Sequence, residues 1–167
     1  GIKAVDIFLE EMTEGEKAAL TKNDAPKGIA EQLNDVKHVI AIMSGKGGVG
    51  KSLVTGLMAS SLRRMGHKVG ILDADITGPS IPKMFFKNGA RPGTSPMALL
   101  PPKTQTGIAI MSINLLLENE DQAVIWRGPL ISNTIKQFWT EVLWGDLDYL
   151  LVDLPPGTGD AQLTLCQ

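Results

Sequence analysis

The sequence predicts an α/β fold, a mainly parallel sheet flanked by helices, and three observations predict it. An apolar run at residues 39–43 leads into a glycine-rich loop, Gly45-Lys46-Gly47-Gly48-Val49-Gly50-Lys51-Ser52, followed by a stretch of helical spacing. A second apolar run ends at Asp73, and a third, Tyr149-Leu150-Leu151-Val152, ends at Asp153. Strands that are apolar throughout belong in a parallel sheet covered on both faces, and such sheets bind ligands just past the carboxyl ends of their strands.

The elements follow in order. Residues 1–37 are mixed and polar, carry no chemical motif, and read as an N-terminal helical extension with helices near 14–20 and 27–33. From His38 a strand runs to Met43, then come the glycine loop, a helix over 54–65 closed by Gly66, and a strand over 68–72 finishing at Asp73. This predicts a βαβ unit with a parallel pair. Prolines 79, 82, 92, 96, 101 and 102 break the stretch from Gly78 to Pro102, which is expected to hold one short helix near 81–86 and otherwise to form a long surface loop. A third strand is expected over 108–113, then a helix from about 130 to 144 whose start is marked by Gly128-Pro129. After the strand that ends in Asp153, residues 161–167 read as the opening of a helix.

With 167 residues, the chain suggests one domain with a proper core. Its 43% apolar content and net charge of -2 exclude a disordered chain and a generally basic nucleic-acid surface. There is no apolar stretch of membrane-spanning length and no secretory layout at the start, so a cytoplasmic location is expected, with no membrane and no nucleic-acid partner. The single Cys166 supplies neither a disulfide framework nor a closed metal site. Trp126, Trp139 and Trp144 read as packing anchors, and Met43, Met58 and Met65 as core filler. His38 and His67 stand isolated at strand starts and are assigned to no metal.

The loop fits G-x-x-x-x-G-K-[ST], in which glycines turn successive backbone N–H groups toward one anion and the next helix adds its positive dipole end. Residues 45–52 are therefore the expected nucleotide-binding loop, with Lys51 on the β- and γ-phosphates and Ser52 on Mg2+. Gly45, Gly47 and Gly50 also satisfy G-x-G-x-x-G, with Asp73 and Asp75 beyond, the layout of a dinucleotide site. Lys51 and Ser52 separate the two readings, because triphosphate and Mg2+ chemistry uses both. Asp153 reads as an aspartate that holds Mg2+ directly or through water, or as a turn cap. Asp73 and Asp75, two apart, share one side of an extended segment; one is expected to orient the attacking water and the other to support the metal. Gly157, Thr158 and Gly159, after Pro155 and Pro156, read as a switch that senses the γ-phosphate, or as a rigid turn. Lys46 is not needed to hold phosphate within one subunit; it is either a group acting in trans across a dimer or a solvated lysine.

Four strings, GKGGVGKS, DADITGPSIPKMF, WRGPLISNTIKQF and WGDLDYLLVDLPPGTGD, resemble the Mrp/ApbC family of P-loop ATPases over about residues 37–165. The resemblance implies a deviant phosphate loop with a trans-acting Lys46, a phosphate lysine at Lys51 and the Mg2+ hydroxyl at Ser52; with the residue reading above, Ser52, Asp73 and Asp153 are the expected Mg2+ residues. It implies a first switch at Asp73, Asp75 and Gly78, and a second from Asp153 to Asp160 that includes Pro155, Gly157, Thr158 and Gly159. It further implies a homodimer closing around ATP that carries iron-sulfur clusters to apo client proteins. The family's C-terminal Cys-x-x-C is absent from these residues, so residues 38–167 are read as an incomplete P-loop domain, its C-terminal strands missing. The expected function is thus a slow ATPase, with Lys46, Lys51 and Asp75 catalytic, that serves cluster assembly. A non-catalytic nucleotide-binding fragment and a partition-type positioning ATPase are the alternatives.

Overall fold

The sheet is ordered by its last strand. The computed structural model describes residues 29–75, 80–87, 89–95, 98–112, 115 and 138–157. A short helix α1 (Ile29–Leu33) leads into β1 (Asp35–Ile42), the glycine loop, helix α2 (Lys51–Arg64) and β2 (Val69–Asp73). Then follow α3 (Ile81–Phe85), the two-residue strands β3 (Gly93–Thr94) and β4 (Leu99–Leu100), β5 (Ala109–Ser112) and β6 (Asp146–Asp153). The main sheet is parallel, in the order β1-β6-β2-β5.

The burial of β6 explains that order. From Leu150 to Asp153 every residue is buried, on both faces, which demands neighbours on each side and layers above and below. Ile71, Ile110 and Leu151 pack with Ala59 of α2 and Ile81 of α3, while Leu72, Met111, Leu150 and Val152 pack on the opposite face with Phe138, Val142 and Trp144. β2 has glycine at position 70, where a Cβ would meet Leu147 Cδ1 at 2.7 Å and Trp144 at 3.2 Å. At the lower end of the sheet, Asn34 Nδ2 donates to the Val142 carbonyl and Asn34 Oδ1 accepts from the Gly145 N–H, each at 2.9 Å, stitching the start of β1 to the approach to β6.

Several expectations are corrected. β1 and β2 are parallel but not neighbours, because β6 lies between them. β1 begins at Asp35, within the segment read as an extension, since Asp35 N–H is held by the Gly145 carbonyl at 2.9 Å. α2 starts at Lys51, with left-handed Gly50 at its cap, rather than at residue 54. The proline-rich stretch contains the antiparallel β3–β4 pair. Met43 and Met65 are exposed, and of the three methionines only Met58 packs against the core. The helices expected near 14–20 and from 161, and the start of the helix expected at 130, lie outside the described residues; residues 138–141 are helical.

Candidate functional site

The glycine loop joins the carboxyl end of β1 to α2, and Gly48 and Gly50 take φ of 76° and 92°, a region where a side chain is strained. Gly50 leaves the helix without a side-chain cap, so the first-turn N–H groups and the positive dipole end face the loop. The geometry suits an anion. The loop is tied to the segment after β6: Gly157 N–H donates to the Ser44 carbonyl at 2.9 Å, and Pro156 lies beside Gly47.

Beneath the loop, side chains converge on Asp153, which is fully buried at the end of the central strand. Lys51 Nζ lies 2.7 Å from Asp153 Oδ1, and Ser52 Oγ donates to Oδ2 at 2.5 Å. Thr55 Oγ1 lies 3.0 Å from Asp153 Oδ1 and 3.1 Å from the Lys51 carbonyl, sharing its one proton between them. Lys51 Nζ is also 3.6 Å from Asp75 Oδ2. A buried carboxylate is tolerated when paired and hydrogen-bonded, and Asp153 is both.

Asp73 is different. It is the register partner of Asp153, its exposure is 1%, and burial, with the Asp153 charge second, pushes its carboxyl up to about 7. Its Oδ1 accepts the Asp75 N–H at 3.1 Å, while its Oδ2 has no partner among the described residues. The structure thus brings Lys51, Ser52, Asp73, Asp75 and Asp153 together at one end of the sheet. Lys46 sits in the loop and is exposed. Pro155 follows Leu154, whose N–H donates to the Ile42 carbonyl at 3.1 Å. Gly78, Thr158, Gly159 and Asp160 lie outside the described residues, as do Trp126 and Cys166.

Sequence reasoning missed Thr55 and Ser112. Thr55 stands one helical turn after Lys51, a spacing that puts both on one face. Ser112 closes an apolar strand just as Asp73 and Asp153 do, and is register partner to Asp73. The two histidines, apart in sequence, flank one ring: His38 stacks on Tyr149 and His67 meets its edge, each at 5.1 Å. Among the described residues, no helix is long and apolar enough to cross a membrane.

Comparison with known proteins extends this geometry. The model of the ParA family, described as NUBPL iron-transfer P-loop NTPase, matches residues 35–167. An iron-sulfur cluster carrier protein of Methanocaldococcus jannaschii is 52% identical over 151 residues, 90% of this chain and 51% of that protein. A cytosolic Fe-S cluster assembly factor, CFD1 of Kluyveromyces lactis, is 47% identical over 146 residues, 84% of this chain and 51% of its own length. Among solved structures, a nucleotide-binding protein from Archaeoglobus fulgidus in complex with ADP superposes with a TM-score of 0.68 at 50% identity, covering 81% of this chain and 51% of that one. The chain spans about half the length of these relatives.

Proposed function

This chain belongs to the ParA family of NUBPL-type iron-transfer P-loop NTPases, and from that premise we propose that it is the nucleotide-binding part of an iron-sulfur cluster carrier. In this reading it binds ATP with Mg2+, hydrolyses it slowly to ADP and phosphate, and works in the cytoplasm as a homodimer that hands clusters to apo client proteins. The observation that carries the reading is the convergence of Lys51, Ser52 and Thr55 on buried Asp153 at the foot of an uncapped helix. The relatives' names support the cargo, and the ADP complex of the Archaeoglobus protein supports the nucleotide.

The backbone N–H groups of the loop bind the phosphates, and Lys51 neutralises their charge. Asp75, beside Lys51, orients the attacking water, and exposed Lys46 reaches the nucleotide of the second subunit. The donors at the foot of the loop are hard oxygens, which fit Mg2+: Ser52 and Asp153 would hold it, with Asp73 behind them. Among the described residues, no three His, Cys, Asp or Glu side chains form a metal site by themselves. Mg2+ is usually bound through one or two carboxylates and the phosphates of its nucleotide. Bound there, Mg2+ supplies neutralisation of the β- and γ-phosphate oxygens. The cluster is cargo; with one cysteine, these residues hold no Cys-x-x-C pair for it.

The test is made on full-length protein purified anaerobically, assayed for iron and acid-labile sulfide, Mg-ATP binding and phosphate release, beside Lys51→Ala. Nucleotide binding and phosphate release that vanish in the variant, with iron and sulfide present in the wild type, support the proposal. Nucleotide binding without turnover or cluster leaves the non-catalytic module, and absence of nucleotide binding overturns both.

A further inference from the structure

Two buried polar atoms on adjacent strands have no hydrogen-bond partner among the described residues: Asp73 Oδ2 and Ser112 Oγ. The residues are register partners on β2 and β5, each 1% exposed. Both lie on the face that Ile71 and Ile110 present to α2 and α3, because residues two apart in a strand share a face. Together with Asp153 they form one polar row, Ser112–Asp73–Asp153, across three adjacent strands at the sheet's carboxyl end. Buried hydroxyls and carboxylates nearly always find partners, and neighbouring strands lie about 4.8 Å apart, a spacing at which one water can bridge two side chains that do not bond directly.

We propose that Ser112 is a positioning residue of the nucleotide site, its hydroxyl and the second oxygen of Asp73 sharing one buried water that fixes the Asp73 carboxylate. The chain of consequence is short. Asp73 Oδ1 holds the Asp75 N–H at 3.1 Å, and Asp75 Oδ2 stands 3.6 Å from Lys51 Nζ. A carboxylate pinned on one oxygen only is free to turn about its other bonds. Pinned on both, it sets the backbone of the loop after β2, and through it the Asp75 carboxylate that stands beside the phosphate lysine. Ser112 thereby connects β5, which contributes no residue to the loop itself, to the place where Mg2+ and nucleotide meet. The proposal rests on the reading of this end of the sheet as a Mg-nucleotide site.

The experiment compares wild type, Ser112→Ala and Ser112→Thr in the full-length protein. It measures the affinity for a fluorescent ADP analogue with and without Mg2+, and the thermal midpoint, and adds a high-resolution crystal structure of the wild type. Outer partners of metal-site carboxylates are worth about 10- to 100-fold, and one acting through water belongs at the lower end. Ser112→Ala is expected to cut the Mg2+-dependent gain in affinity roughly tenfold while leaving Mg-free affinity and the midpoint in place, and Ser112→Thr to restore the gain. Density for a water within hydrogen-bond reach of both atoms completes the result. An unchanged Mg2+-dependent gain in Ser112→Ala, or the same loss in Ser112→Thr, overturns the proposal. Wild-type protein that binds no nucleotide fails the underlying reading instead, and the crystal structure then decides separately whether the bridge exists.

Discussion

Asp73 and Asp153 are register partners on adjacent parallel strands, both buried, and among the described residues only Asp153 has each of its carboxylate oxygens answered by a donor. Burial therefore raises Asp73 to about 7 from an ordinary 3.8. The folded state holds this proton more tightly than the unfolded chain does, so the contribution to stability is full below about pH 4 and is lost as pH rises toward 7. Asp73→Asn is expected to remove that slope and to stabilise the protein above pH 7 by a few kcal/mol at most, on the order of the shift itself. Denaturant unfolding of both proteins from pH 4.5 to 8.5 checks it; parallel profiles would refute the assignment.

Lys51 has two tasks that one substitution confuses. Lys51→Ala leaves Asp153 charged and buried and is expected to cost about 3–5 kcal/mol of stability along with nucleotide binding. Adding Asp153→Asn is expected to recover most of the stability and none of the binding. A double-mutant cycle read by unfolding and by nucleotide titration separates the tasks.

Gly50 caps α2 at φ 92°, and a Cβ there finds nothing within 4 Å. The penalty for Gly50→Ala is thus conformational, about 1–2 kcal/mol, and nucleotide affinity is expected to fall with the disturbed loop. Gly45 has equal space and an ordinary φ, so Gly45→Ala is expected to fold unchanged. Equal losses at both positions would point to crowding by a ligand rather than to backbone strain.

Asp148 lies at the opposite end of the sheet. Its carboxylate accepts Lys37 Nζ at 2.7 Å and the Lys68 N–H at 2.8 Å, and these bonds hold it down to about 2. Its contribution is present above pH 4 and lost as pH falls toward 2. Asp148→Asn is expected to lower stability at neutral pH, to flatten the acid limb of the unfolding curve, and to leave nucleotide affinity untouched. A changed nucleotide affinity would mean that the two ends of the sheet are coupled.

What could be read from the sequence was whatever has a local cause. Apolar runs gave the strands, glycines fixed the loop, and Asp73 and Asp153 announced themselves by closing apolar strands. Strand order has no local cause: β6 pairs with β1 and β2 because its residues are buried on both faces, and nothing in residues 38–73 records that a third strand must enter between them. Met43 and Met65 show the converse, since helix or strand membership does not tell which face is covered. Thr55 and Ser112 escaped notice because each is an ordinary residue whose meaning depends on a carboxylate distant in sequence: Thr55 meets Asp153, and Ser112 pairs with Asp73.

The threading of β6 between β1 and β2 also sets a clock. Lys51 and Asp153 are separated by 102 residues, so a ribosome that makes roughly 5–20 residues per second delivers the phosphate loop several seconds before the carboxylate beneath it. Throughout that interval β1 and β2 have no partner between them, and the nascent chain carries a loop built for anions over a floor that does not yet exist. A chain interrupted before residue 153 would carry Lys51, Ser52 and Thr55 with no buried carboxylate for them to meet.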